Sequence, residues 1–319
     1  MNYPPRDSQS GIFGCERRRW LNRHGDALLH APADVPPVYL ADHCALCRWH
    51  DHCRAAAHAE ASITLLNGLS RQAWQSLIAA GVFTASQVLA YTPDELRRFK
   101  GIGKVTAQQI HTSAQALHSG NAVPLASLPD EIRRPVMMLD IETCLTYEEA
   151  DQPWSFGWSD IDGTLHAMIV AKYYDGDHTH LPDGRRVHIV PHYADGWRTL
   201  ADYAESHDLL IYHWSGFDAG VMHRTASPDV VARLAPRMRD FLQVFKQCIM
   251  LPVRGRSIKT VAAYLGYAYP PESDYRQAWN DYRAWLLEND DDALARSMAY
   301  QLADVEAMLV ARDWLLNQS

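Results

Sequence analysis

The chain has 319 residues, 47% of them hydrophobic and 21% charged, and a formal net charge of −8. That leaves room for about two ordinary domains and is the composition of a soluble globular protein. No run of about 18 apolar residues exists, which excludes a membrane-spanning helix. The N-terminus lacks the apolar core of a secretory signal, so the expected location is the cytoplasm. The acidic total does not exclude a nucleic-acid partner, because charge is unevenly placed. Arg224 to Lys259 holds eight basic residues against two acids, whereas Glu272 to Asp292 holds seven acids and two arginines.

Four of the six cysteines fall in the first 53 residues: Cys15, then Cys44, Cys47 and Cys53. In a reducing compartment this spacing points to metal rather than to disulfides. Four thiolates suit tetrahedral zinc or an iron–sulfur cluster, and His43, His50 and His52 are alternative ligands that keep zinc in play. One distant cysteine ahead of a C-x2-C-x5-C group resembles the iron–sulfur clasp of RecB-like nucleases, and the resemblance implies a 4Fe–4S cluster. In that family a D…E-x-K catalytic core lies between the first cysteine and the last three. Here only 28 residues separate Cys15 from Cys44, and they hold no E-x-K. The segment 1–61 is therefore expected to stabilise or to dock DNA, with the RecB-like nuclease core missing.

Residues 62–118 read as short helices with tight breaks, at about 71–80, 85–90 and 105–118. Thr92-Pro93-Asp94-Glu95 has the chemistry of a helix start: a capping hydroxyl, Pro at the first position and early acids. The turn Gly101-Ile102-Gly103, followed by Lys104-Val105-Thr106, resembles the helix-hairpin-helix motif of DNA repair and recombination proteins. Glycines let backbone approach a phosphate, a helix N-terminus offers free N–H groups, and Lys104 adds charge. Gly101, Gly103, Lys104 and Thr106 are thus candidate nucleic-acid contacts. Residues 119–130 read as a linker.

Val136 to Leu139 is an uncharged apolar run that predicts a buried strand. Asp140 and Glu142 follow at its end, and residues two apart in a strand point to the same face. Two adjacent carboxylates repel, so a divalent metal between them is the expected relief. Further strands are expected at 154–159, 165–172 and 208–214, with a helix at 197–206. A final helix is expected at 293–316, where Tyr300 and Asp304 share a face by their i, i+4 spacing. Trp158, Trp214 and Phe217 are candidates to stack on bases, although aromatics beside strands are more often core.

Asp140-x-Glu142, Asp218 after a strand, and Tyr300-x3-Asp304 on a late helix match in order and context the three motifs of DEDD exonucleases. The tyrosine resembles that of the DEDDy subgroup, and the match covers roughly residues 134–316. With its N-terminal modules, the chain resembles RecB-like nucleases that end in a YprB-like domain. Ser257-Ile258-Lys259-Thr260 and Leu265-Gly266-Tyr267 also look like that family. The resemblance implies an α/β fold: a ribonuclease-H-like, DnaQ-like mixed sheet flanked by helices over 131–319. It would follow a small all-α hairpin module and the Cys-rich segment. The implied activity is 3′–5′ exonuclease action on single-stranded ends, on DNA first and with RNA possible, in repair, recombination or end trimming.

Two Mg²⁺ or Mn²⁺ ions would sit on Asp140, Glu142, Asp218 and Asp304, with Tyr300 orienting the attacking water and Lys259 holding phosphate. Many relatives have Asn where Trp214 stands, a departure that bears on how the strand is positioned. The rival expectation is a non-catalytic nucleic-acid-binding or recruitment protein that retains the fold.

Overall fold

Two units share the chain: one comprises Met1–Val123 with Met250–Arg254, the other Pro124–Ile249 with Gly255–Ser319. The structure is a computed structural model describing residues 37–41, 44, 47–146, 149, 151–271 and 274–318. Cys15 and His43 lie outside the described residues. No helix among the described residues is long and apolar enough to cross a membrane.

The first unit is built on α1 (His50–Ala59), α2 (Arg71–Ala79), α3 (Ala85–Val88), α4 (Pro93–Leu96) and α5 (Lys104–Ser119). Its helix starts follow from capping chemistry. Ser70 Oγ accepts the Ala73 N–H, while Thr84 with Gln87 and Thr92 with Glu95 form capping boxes. Leu77, Val88, Leu96 and Ile110 are fully buried in the core these helices enclose. Residues 250–254 belong here too. The Arg254 guanidinium donates to the carbonyls of Leu40 and Thr64, and Asn67 Nδ2 donates to the Val253 carbonyl at 2.8 Å.

In the second unit the strands are β1 (Val136–Thr143), β2 (Pro153–Ser159), β3 (Leu165–Val170), β4 (His178–His180), β5 (Arg186–Val190), β6 (Leu210–His213) and β7 (Met238–Asp240). They form one sheet in the order β4-β5-β3-β2-β1-β6-β7. β1 pairs antiparallel with β2 and parallel with β6, so the sheet is mixed, as expected. Helices α6 (Tyr193–Ser206), α7 (Phe217–Thr225), α8 (Pro228–Leu234), α9 (Phe241–Cys248), α10 (Ile258–Tyr264), α11 (Tyr275–Glu288) and α12 (Asp291–Leu316) complete it.

The two faces of the sheet bury different helices. Met137, Leu139 and Ile141 of β1 join Trp197 and Leu200 of α6 in one core. Trp154, Ala167 and Ile169 join Trp279 of α11 and Tyr300 and Leu302 of α12 in another. Strand alternation therefore turns Asp140 and Glu142 toward the α12 face. Close approach of α12 depends on Gly157, which pairs with Asp140 across β1 and β2. A Cβ there would lie 2.9 Å from the Cγ of Gln301, a buried α12 side chain.

Several expected boundaries shift. The strand expected at 208–214 is β6 alone, because Asp208 takes a left-handed turn conformation at φ 49°. The helix expected from Trp197 starts at Tyr193, where His192 Nδ1 accepts the Ala194 N–H. β4, β5, β7 and α11 were not expected at all.

Candidate metal centre

β1 delivers the first two acids. Asp140 and Glu142 come off the α12 face of the central strand and meet Asp304, near the middle of α12. One carboxylate oxygen from each lies within 4.8 Å of the others, the only such cluster of three among the described residues. Asp304 is buried, and Asp140 and Glu142 are half-buried. Asp218, in the first turn of α7, stands beside the same strand, and its Oδ1 accepts the Ile141 N–H at 3.2 Å.

Burial and mutual repulsion act together on these groups. Asp140 is held well above the usual carboxylate range by burial, then by Asp304, Glu142 and Asp218. Glu142 is pushed up to about 8 by burial and Asp304. Asp218 is raised to about 7, mainly by burial, with the backbone N–H groups it accepts pulling the other way. Burial also raises Asp304, against the pull of Lys259 and a hydrogen bond from Tyr269.

Lys259 is drawn into this centre rather than out along the surface. It sits in the first turn of α10, capped where Ser257 Oγ accepts the Thr260 N–H at 3.1 Å. Its Nζ donates to Tyr300 Oη at 3.2 Å and lies 4.3 Å from the Tyr300 ring centroid and 5.4 Å from that of Tyr269. Tyr269 in turn donates to Asp304 Oδ1 at 2.8 Å, and Tyr267 to Glu306 Oε2 at 2.7 Å. Burial and the neighbouring acids hold the Tyr300 phenol above its ordinary value, so it is neutral near pH 7.

Sequence reasoning missed the groups that hold the acids in place. Tyr269 had a signal, lying two residues beyond Leu265-Gly266-Tyr267. Gln301 donates to the Asp140 carbonyl at 3.0 Å and accepts from Ser155 Oγ, tying α12 to β1 and β2. His213, at the end of β6, is buried 3.9 Å from Asp218 Oδ2, and its Nδ1 donates to the Ser215 carbonyl. Ser215 itself is a non-glycine residue at φ 76° in the turn leading to Asp218.

The other expected site residues lie elsewhere. Gly101, Gly103, Lys104 and Thr106 are in the helical unit, where Gly101 has φ 87° and Gly103 caps α5 with no side-chain bond. Cys44 and Cys53 are buried and Cys47 half-buried, and Cys44 Sγ accepts the Ala41 N–H at 3.3 Å. Among the described residues these three cysteines make no cluster like that of the acids, and Cys15 lies outside them. Of the three aromatics considered for base stacking, Trp158 is core. Trp214 donates to the Arg256 carbonyl at 2.9 Å and rests on Phe241, whereas Phe217 is 50% exposed.

A divalent cation fits the acids on their own chemistry. Asp140 Oδ2 is buried with no hydrogen-bond partner. A buried, unpartnered carboxylate oxygen facing two more carboxylates is unfavourable until a cation sits among them. The donors are all hard oxygens, which suit Mg²⁺ or Mn²⁺.

Comparison with curated proteins found no match. Residues 137–316, more than half of the chain, match the RNase_H_2 family model of the RNase_H superfamily. That span runs from β1 to the end of α12 and so takes in the whole acid cluster. The chain belongs to the RNase H superfamily, a group of generally nuclease-type proteins that use divalent metal.

Proposed function

We propose that the protein is a metal-dependent 3′–5′ exonuclease acting on single-stranded DNA ends. The observation that carries this reading is the convergence of Asp140, Glu142 and Asp304 around a buried, unpartnered Asp140 oxygen. A protein that only bound nucleic acid would gain nothing from mutually repelling buried acids. The 3′ polarity and the tyrosine-subgroup assignment rest on the resemblance of the three motifs.

Asp140, Glu142 and Asp304 would hold a pair of ions with Asp218. When bound, such ions activate water and stabilise the leaving oxygen of an in-line displacement at phosphorus. Tyr300, neutral and accepting a hydrogen bond from Lys259, is suited to orienting water or a phosphate oxygen by donation and poorly suited to acting as a base. The Lys259 ammonium faces the developing negative charge. Tyr269 and Gln301 keep the acids in register. In the helical unit, Gly101, Gly103, Lys104 and Thr106 would dock the phosphate backbone at the N-terminus of α5, where no side chain makes a capping bond. Cys15, Cys44, Cys47 and Cys53 would carry a 4Fe–4S cluster.

The test is degradation of end-labelled single- and double-stranded DNA and RNA with Mg²⁺, Mn²⁺ or EDTA. We expect stepwise shortening from the 3′ end of single-stranded DNA, abolished by EDTA and by Asp140→Ala. Equal activity of wild type and Asp140→Ala would end the proposal, and cutting of circular DNA would end its exonuclease half. Iron and labile sulfide measured after anaerobic purification test the cluster, and stoichiometric zinc without iron would replace it.

A further inference from the structure

The strand that carries Asp140 and Glu142 leads directly into a second feature. Two residues past Glu142, Cys144 forms one wall of a cavity of about 680 Å³. The cavity lies between the start of β2, the exit of β3 and helix α11. Its size is that of a small-molecule site.

The cavity is floored by aromatic rings. Trp154 and Tyr282 stack with centroids 4.5 Å apart, and Trp279 lies 5.9 Å from Trp154. The Tyr282 hydroxyl is tied to the Val170 carbonyl, which fixes its ring. The rim differs from a protein core. Tyr173 is 90% exposed, with the Lys172 ammonium 5.1 Å from its ring centroid, and Tyr174 leans on Trp285 at 5.3 Å. The charged lining groups are Lys172, Arg283 and Glu149, two cations against one carboxylate.

An aromatic ring left almost wholly in water beside a cation, at the mouth of an aromatic-floored cavity, does not stabilise the fold. An exposed aromatic face can stack on a planar ring, and the cation beside it can meet an anion joined to that ring. A nucleobase offers a π-face to such rings whatever its identity, and its flanking phosphates match the rim cations. Position agrees with this. A strand rises about 3.3 Å per residue, so Cys144, just past the end of β1, lies at most roughly 7 Å beyond Glu142, within the span of a neighbouring nucleotide.

We propose that this cavity is a second nucleotide site: it takes a base of the single strand whose phosphate lies at the carboxylates, with Lys172 and Arg283 on the adjoining phosphates. As a substrate subsite it rests on the nuclease reading. As a binding site it stands by itself.

The experiment uses the full chain and two rim variants, Tyr173→Ala and the double change Lys172→Glu with Arg283→Glu. None of these residues touches the acid cluster, and all are exposed, so folding is retained. For a short single-stranded DNA, KM should rise on the order of ten-fold, the loss of about one base–aromatic stack. The kcat should stay level, and so should hydrolysis of the p-nitrophenyl ester of thymidine 5′-monophosphate, which is too small to reach the cavity. Binding is read separately by irradiating the protein with 5-iodouracil-labelled single-stranded DNA in Ca²⁺ and locating the cross-link by mass spectrometry. Attachment at Tyr173, Tyr174 or Trp285 supports the site. Unchanged KM in both variants, or cross-links confined elsewhere, overturns it. Wild type that hydrolyses neither the ester nor DNA would sink the nuclease reading alone, and the cross-link would still decide the site.

Discussion

Asp140 is the residue where stability and chemistry oppose each other. Its folded-state affinity for a proton is raised, as is that of Glu142 and Asp218. A carboxylate with a raised folded pKa leaves stability intact below the unfolded value of about 4 and removes it as pH rises toward the folded value. The metal-free protein should therefore lose stability from about pH 4 to about pH 8. Asp140→Asn should flatten that slope and raise the melting temperature in EDTA, while abolishing turnover. Thermal melts of both proteins across pH in EDTA check this, and parallel curves would count against it. Tyr269→Phe removes one hydrogen bond to Asp304 without changing shape. Because groups that orient a metal ligand govern affinity, Mn²⁺ binding by calorimetry should weaken by roughly 10-fold. Unaltered Mn²⁺ affinity would mean that Asp304 is held by other means.

At the level of elements, the sheet and α12 succeed or fail together at Gly157. Gly157→Ala would press a methyl group against Gln301, whose amide ties α12 to the Asp140 carbonyl. Overpacking of this kind costs about 1–3 kcal/mol, so the urea midpoint should drop and Mn²⁺ binding should weaken with it. β1 was legible in the sequence because an apolar run and two i, i+2 acids are strong local signals. α12 was legible for the same reason, through its i, i+4 pair. By contrast β4 and β5 carry the alternating His178, His180 and His188, polar residues that hide strand periodicity. α11 sits in an acid-rich stretch that reads as solvated surface, yet Trp279, Tyr282 and Trp285 are buried on it. Lys259 is legible in the sequence as a cation suited to holding phosphate. Its aim at Tyr300 is a long-range fact that no local pattern encodes, and the same holds for Tyr269 and His213.

Over the whole molecule, the two units divide the labour we propose. Lys104→Glu should weaken DNA binding regardless of sequence, most at low salt, with kcat unchanged. Fluorescence anisotropy across a salt series checks this, and affinity equal to wild type at every salt would assign the hairpin another task. The helical unit also depends on a distant stretch of chain, because Arg254 donates to the carbonyls of Leu40 and Thr64. Arg254→Met should destabilise that unit by about 2 kcal/mol, the scale of hydrogen bonds to a charged group. Amide exchange at Thr64 to Leu66 should quicken accordingly, and unchanged exchange there would contradict it. The same interleaving fixes an order of events during synthesis. Helices α1 to α5 emerge from the ribosome as soon as Val123 is clear, but residues 250–254 follow only after β1 to β7 have been made. At ordinary elongation rates that is a wait on the order of ten seconds. Through that interval the helical unit stands incomplete, with the Leu40 and Thr64 carbonyls left to water, and its last piece arrives only after every strand of the sheet has been made.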